Sequence, residues 1–114
     1  MKPTELMIGD WVRFKGSDLA HQVYAIAGKS IKVDKGNWFA ASTFEPIPLT
    51  AEILERNGIR YQYGMPWYQG GADGVFEFRY RSDDDSTEVR KPVRYVHQLQ
   101  HILKDCGIEK EVEL

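Results

Sequence analysis

Residues 92–106 read PVRYVHQLQHILKDC, and this stretch decides the fold because it is the longest amphipathic segment of the chain. Its apolar side chains recur at steps of three and four, as on one face of a helix, at Tyr95, Val96, Leu99, Ile102, Leu103 and Cys106. Pro92 suits a first helical position, and Gly107 suits the left-handed residue that ends a helix. The pattern predicts a helix over residues 92–106 that covers a sheet.

The sheet that this helix should cover begins at residue 75, where VFEFRYR alternates strictly. Phe76, Phe78 and Tyr80 share one face of the predicted strand, as in a sheet with one wet face. The polar loop 82–86 and the run 87–90 predict an antiparallel return. The last residues, 111–114, alternate as well and indicate either a short edge strand or a frayed tail.

A short helix should precede this sheet, over residues 50–57. Thr50 is a typical N-cap, and Leu49 with Leu54 forms a hydrophobic staple across the first turn. Gly58 ends the helix, and Ile59 packs back over it. Residues 60–63 and 67–68 are candidate strands. The sequence therefore predicts a second half, 49–114, built as helix, antiparallel sheet and helix.

The first half, 1–48, shows short strand-like runs separated by turns at 15–18, 28–29 and 34–37. Ile31 and Val33 should face inward, and simple alternation places Val23 with Ala25 on one face and Tyr24 with Ile26 on the other. A single 3₁₀ turn at 42–44 and an edge piece at 45–48, with two prolines, complete the pattern. Five strands in this order predict an SH3-like small β-barrel within an α+β chain, the two halves forming one compact unit.

Size and composition fit a soluble, intracellular protein. A chain of 114 residues should bury roughly 65% of its unfolded surface, and 42% of its residues are hydrophobic. The net charge of −2 excludes a broadly basic surface, and the lone Cys106 fits a reducing cytoplasm. No apolar run approaches the ~20 residues that span a membrane, so we expect a cytoplasmic protein without membrane contact.

Three stretches considered together carry a family resemblance: IGDWV at 8–12, EPIPLT at 45–50 and YVHQLQ at 95–100. In this order and spacing they resemble a family of small uncharacterised proteins of gut Bacteroidales and their prophage-like elements. The resemblance implies one shared architecture in a bacterial or phage setting, and it implies no activity, ligand or catalytic residue. His101 and residues 104–106 depart from the family's usual pattern.

Five aromatic residues are candidates for a partner-binding surface: Trp11, Tyr24, Trp38, Trp67 and Tyr68. Exposed rings in the first half would dock an extended peptide or stack bases. Large aromatics also dominate small cores, and on that ground we expect at least two of Trp11, Tyr24 and Trp38 to be core residues. Their burial decides between the two interpretations.

A possible basic strip offers a second binding surface, made of Arg79, Arg81, Arg90, Lys91 and Arg94. Such a strip would contact phosphates with a steep salt dependence. The competing interpretation is local pairing with Glu77, Glu88 and the aspartates of the loop 82–86, and the sequence favours this pairing.

His97 and His101 lie four residues apart, so both rings reach one metal from a single helical face. A third ligand is not evident, and polar hydrogen bonding explains the pair more simply. Asp83, Asp84 and Asp85 lack the spacing of a calcium loop and predict a solvated hairpin tip. No nucleophile with a base and no phosphate-binding loop is evident, so the sequence indicates neither catalytic residues nor a cofactor.

These patterns favour a non-enzymatic binding or assembly module with a protein partner. The alternative is a nucleic-acid-binding accessory protein that uses the basic strip and the aromatics of the first half. The sequence does not indicate an oligomeric state.

Overall fold

The computed structural model describes residues 1–34 and 36–114, and over these residues the protein is α+β. The described chain divides into two units, Met1–Ile47 and Pro48–Leu114, beside the predicted boundary at residues 48 and 49. Each unit contains one sheet within the described ranges, and the second also contains two helices. No helix among these residues has the length and apolar character needed to cross a membrane.

The first unit is an antiparallel sheet of short strands. In the described part of the chain its strands are β1 (Trp11–Phe14), β2 (Ala20–Ala27), β3 (Ser30–Val33), β4 (Trp38–Ala40) and β5 (Phe44–Pro46). The spatial order is β4-β3-β2-β1-β5, which leaves β4 and β5 at the edges. A 3₁₀ turn, Ala41–Thr43, joins these two edge strands one residue earlier than predicted. The predicted turn at 34–37 includes Lys35, which lies outside the described residues.

A bulge in β2 changes the predicted alternation. Val23 pairs with Val33, but the next pair on the ladder is Ala25 with Lys32, which leaves Tyr24 as an extra residue. Ile26 then pairs with the fully buried Ile31 and packs against the core. The predicted sharing of faces is therefore wrong: Val23 faces the core with Ile26, whereas Ala25 faces outward.

The first sheet curls so that its two edges approach each other. The rings of Phe39 on β4 and Phe44 on β5 lie 6.1 Å apart, although these strands are at opposite ends of the strand order. Phe14 on β1 contacts both rings, at 5.0 Å and 4.5 Å between centroids. No ladder joins β4 to β5 among the described residues, so the sheet is open and the predicted closed barrel is not confirmed.

The second unit contains a mixed sheet and two helices. Within the described residues its elements are α1 (Ala51–Arg56), β6 (Arg60–Tyr61), β7 (Trp67–Gly70), β8 (Phe76–Arg81), β9 (Glu88–Val93) and α2 (Val96–Asp105). The strand order is β6-β7-β8-β9, and β6 pairs parallel to β7. The prediction of a wholly antiparallel sheet is therefore wrong for this one pair. Phe76 and Phe78 are buried, as the alternation of β8 indicated.

Helix α2 begins later than the sequence suggested. Pro92 lies in β9 opposite Glu77, and Val96 is the first helical residue. A proline is tolerated there because β9 is an edge strand and its missing N–H removes no bond that the sheet requires. The side chain of Gln98 caps the N-terminus of α2. Its amide oxygen accepts hydrogen bonds from the N–H groups of Arg94 at 2.8 Å and Tyr95 at 3.1 Å.

Most of the predicted apolar face of α2 and its C-terminal stop agree with the structure, although Tyr95 and Cys106 are half-buried residues that flank the helix. Val96, Leu99, Ile102 and Leu103 are buried, and the helix contacts β9. At its end Gly107 adopts a φ of +74°, and the Ile108 N–H donates to the Leu103 carbonyl at 2.9 Å. Helix α1 ends in the same way at Gly58, and Thr50 caps its start by accepting from the Ile53 N–H at 3.2 Å.

Asn57 ties the C-terminal residues to the end of α1. Its side chain is 3% exposed and bonds both backbone groups of Glu113, donating to the C=O at 2.7 Å and accepting from the N–H at 2.8 Å. The same amide donates to the Ile53 carbonyl at 2.7 Å. Val112 is buried beside this clamp. Residues 111–114 therefore form neither the edge strand nor the frayed tail that were predicted.

We expect Asn57→Ala to lower the free energy of unfolding by about 2–3 kcal/mol, because buried backbone groups lose their partners. Urea unfolding followed by circular dichroism measures the change. The exposed Asn37→Ala is the matched control and should remain within about 0.5 kcal/mol of the wild type. Equal stability of the two variants would show that the clamp does not hold the C-terminal residues.

Candidate binding surfaces

The ladder of the first unit brings three predicted aromatics to one side of the sheet. Trp11 pairs with Gln22, and Lys32 pairs with Trp38, on the face opposite the buried Val12, Ile31 and Val33. Tyr24, the bulge residue, lies between these pairs along β2. We call Trp11, Tyr24, Lys32 and Trp38 the outer aromatic face. It crosses four strands, a span of roughly 14 Å at the usual spacing.

The expectation that at least two of these aromatics are core residues is wrong. Tyr24 is 49% exposed and Trp38 is 46% exposed, while Trp11 is half-buried. The reason is the period-2 alternation, because the core side of these strands is filled by Val12, Val23, Ile31 and Val33. The large rings are left on the opposite side.

Lys32 is a functional candidate that the sequence argument missed. Its ammonium lies 5.6 Å from the centroid of the Trp38 ring, a cation–π contact across the β3–β4 ladder. The sequence pattern did indicate its position, because Lys32 lies between the two inward-facing residues Ile31 and Val33 and must therefore face outward. The outer aromatic face therefore combines exposed rings with one positive charge.

The other two predicted aromatics belong to the second unit and differ from each other. Tyr68 is buried and contacts the rings of Tyr61 and Phe76, so it is a core residue and not a binding residue. Its burial, together with the charge of Glu55, raises the pKa of its hydroxyl. Trp67 is half-buried, and the guanidinium of Arg79 lies 4.9 Å from its ring centroid.

Three arginines of the predicted basic strip share the Trp67 face of the second sheet. Arg79 pairs directly with Arg90 across the β8–β9 ladder, and Arg81 lies two residues along β8. Met65, Trp67, Arg79, Arg81 and Glu88 help to line a shallow depression of about 160 Å³ on this face.

Acidic side chains accompany each of these arginines. Glu77 contacts Arg79 at 3.6 Å and also pairs with Arg90, and Arg81 has Asp85 and Glu88 each at 3.9 Å. The hydrogen bond from Gln69, followed by that from Arg90, lowers the pKa of Glu77. The three arginines therefore face three carboxylates, which is the pairing that the sequence favoured.

Lys91 and Arg94 do not join the three arginines. Lys91 pairs with the buried Phe78 on the ladder, which puts it on the other face of the sheet. Arg94 follows the end of β9 and is exposed beside the start of α2. The predicted strip of five is thus a group of three with two separate cations.

His97, one of the two histidines for which the sequence favoured polar hydrogen bonding, is buried. Its ring stacks on Tyr95 at 6.0 Å and meets the edge of His101 at 5.7 Å. Among residues 1–34 and 36–114 no group of three or more histidine, cysteine or acidic side chains is placed to hold a metal. The geometry gives His97 a packing role in the second unit.

The loop between β8 and β9 is organised by Asp84. Its Oδ1 accepts from the hydroxyl of Ser82 at 2.8 Å, and from the hydroxyl and N–H of Ser86 at 2.6 Å and 3.1 Å. These bonds, those from Ser86 first, lower the pKa of Asp84 to about 2. The carboxylate closes a hairpin turn, as the polar composition of the loop indicated.

Cys106 lies at the end of α2 and is half-buried. Burial raises the pKa of its thiol, with a further contribution from Asp105, so the neutral form is favoured at neutral pH. A neutral thiol is a poor nucleophile.

The bonds of Asp84 predict a pH-dependent loop. Because the folded pKa lies below the ordinary value of 3.8, the ionised carboxylate stabilises the fold above pH 4, and this stabilisation is lost as the pH falls towards 2. The melting temperature of Asp84→Ala should lie below that of the wild type at pH 6, and the gap should narrow between pH 4 and pH 2. Asp83→Ala, at the same exposed loop, is the control, and a constant gap for Asp84→Ala would contradict this role.

Comparisons of the chain with protein-family models, with curated proteins and with solved structures found no match.

Proposed function

We propose that the protein is a non-enzymatic binding module that holds a protein partner on the outer aromatic face. One observation carries the proposal: Trp11, Tyr24 and Trp38 share the outward side of the first sheet, and two of them are about half exposed. Exposed tryptophan and tyrosine side chains are costly in water and are enriched at the centres of protein interfaces.

The composition of this face favours a protein over a small molecule. The rings lie on β1, β2 and β4, on the outward side of a curled sheet, whereas small-molecule sites are concave and bury most of their ligand. Lys32 adds one positive charge to this face. Such a charge fixes how a partner is aligned on the surface, while the rings provide most of the contact. An extended or flat protein surface fits this arrangement.

The sequence resemblance adds a setting to this proposal. We infer a role in assembly within a prophage-like element of a bacterial cell, with the contact made in the cytoplasm. We also propose that the curled first sheet is a variant of the SH3-like barrel. The ring contact between Phe39 and Phe44 and the one-turn helix before β5 support that fold assignment.

Capture from a lysate of the native host tests the proposed function. The immobilised wild-type protein should retain a partner, and the double variant Tyr24→Ser/Trp38→Ser should retain at least about tenfold less, because aromatic hot spots contribute 2 kcal/mol or more each. Leu19→Ser/Tyr63→Ser is the matched control, since both side chains are 70% exposed and lie outside this face. Recovery of nucleic acid with no protein above background would overturn the proposal.

A nucleic-acid-binding role is the second candidate, and the contact between Arg79 and Trp67 favours it. A guanidinium stacked on an indole, with Arg81 and Arg90 on the same face, resembles the platforms on which unpaired bases stack. The paired carboxylates of Glu77 and Glu88 weigh against it, because they offset the positive charge.

A gel-shift series with a single-stranded oligonucleotide decides this second candidate. Three phosphate contacts predict a slope of about −2 for the logarithm of the binding constant against the logarithm of salt concentration. Arg79→Gln/Arg81→Gln should abolish the shift, and Arg94→Gln, away from this face, should leave it unchanged. Absence of any shift at about 50 mM salt would exclude the role.

A further inference from the structure

The outer edge of β4 presents backbone groups that are suited to another strand. The Ala41 N–H donates to the Lys29 carbonyl at 2.9 Å, which makes this pair a hydrogen-bonded position of the β3–β4 ladder. Such positions alternate along an antiparallel ladder, so Phe39 also bonds to β3. Trp38 and Ala40 then direct their N–H and C=O groups away from β3, on the side of β4 that pairs with no described strand.

Part of this edge is already occupied, which limits where a strand can pair. The hydroxyl of Thr43 donates to the Ala40 carbonyl at 2.6 Å. The groups left pointing outward are the N–H and C=O of Trp38 and the N–H of Ala40. These three groups are enough to hydrogen-bond a short segment of an added strand, in either the antiparallel or the parallel direction.

The β4 edge lacks the proline that the β5 and β9 edges carry. β5 contains Pro46, and β9 contains Pro92 among charged side chains, which are residues that block pairing with a further strand. β4 reads Trp38-Phe39-Ala40, with no proline and no charge, and all three residues are exposed. A strand of this composition at an edge is a template for pairing.

The side chains that flank this edge define what kind of strand it accepts. On one face Phe39, 37% exposed, offers an apolar contact, and on the other face Lys32 reaches over the Trp38 ring towards the edge. Lys29 and Lys32 lie on β3 and the turn before it, and the nearest acidic residue, Asp34, is paired with His21. A strand with acidic side chains facing Lys32 and apolar side chains facing Phe39 complements both faces.

We propose that β4 is extended by a strand from a protein partner whose side chains alternate between acidic and apolar residues. This inference rests on the proposed function and makes it specific, because it assigns the partner's conformation and charge. The partner's backbone bonds to Trp38 and Ala40, and its carboxylates lie beside Lys32. The outer aromatic face then continues onto the added strand.

Ala40 offers a sharp test because its φ is −62°, the value that proline requires. Ala40→Pro removes the outward N–H without straining the backbone, and Ala40→Ser keeps it. The probe is a capped nine-residue peptide of alternating valine and glutamate, titrated into ¹⁵N-labelled protein and followed by amide chemical shifts.

The largest shifts should fall on Trp38 and Ala40 in the wild type. Ala40→Pro should weaken binding at least tenfold, while Ala40→Ser should stay within about twofold. Lys32→Glu should weaken binding of this peptide about tenfold and should bind a valine–lysine peptide instead. The fold of the first unit in each variant is checked from the amide shifts of β1 and β5, which lie outside the β3–β4 ladder.

Three results would overturn the inference. The first is no shift at Trp38 and Ala40 with peptide at about 2 mM, and the second is equal binding by Ala40→Pro. The third is a concentration-dependent shift at Ala40 without peptide, which would identify a second copy of this chain as the occupant. Loss of capture by Tyr24→Ser/Trp38→Ser would still stand in each case, so failure at the edge is distinguishable from failure of the proposed function.

Discussion

The outer aromatic face depends on burial of Val23, Ile31 and Val33, which are at most 5% exposed. Because side chains alternate along a strand, burial of Ile31 and Val33 requires Lys32 to face outward, and the ladder then brings Trp38 to the same side. Tyr24 reaches that side as the extra residue of a bulge. The hydrophobic core thus determines the position of the candidate site without any contact to a ligand.

The two units differ in how they use polar groups. In the first, the inward side is apolar and aromatic, and its outward side carries the candidate site. In the second, the open sheet face is covered by paired charges around Glu77, and the buried Asn57 holds the C-terminal residues. Paired charges at a surface contribute little stability, but they keep the sheet face hydrated. This contrast is the reason for placing the partner on the first unit.

The sequence predicted the elements better than their boundaries. The helix caps at Thr50, Gly58 and Gly107 were predictable because each is a local signal with one physical cause. The start of α2 was not, since proline is equally suited to a first helical turn and to an edge strand, and only the pairing with β8 decides between them. The clamp by Asn57 joins residues that are 56 positions apart in sequence. A contact between such distant residues produces no periodic pattern from which it could be predicted.

The residues of the candidate site were also predictable only in part. The residue types were evident from the sequence, but their burial was not, and the assumption that large rings fill the core was wrong for Tyr24 and Trp38. The basic strip was split because Lys91 and Arg90 are neighbours in sequence and therefore lie on opposite faces of β9. The alternation of side chains along each strand decided both outcomes, together with the bulge at Tyr24.

The bulge in β2 has a consequence for how this sheet tolerates changes in length. Removing Tyr24 would leave Val23, Ala25 and Ile26 in unbroken alternation, with both large aliphatic side chains still facing inward. Removing Ala25 instead would leave the outward place opposite Lys32 to a bulky ring. The chain can thus lose one residue at this point without reordering its interior. Tyr24 is thus an inserted residue that the bulge accommodates, with its aromatic side chain on the outside of the sheet.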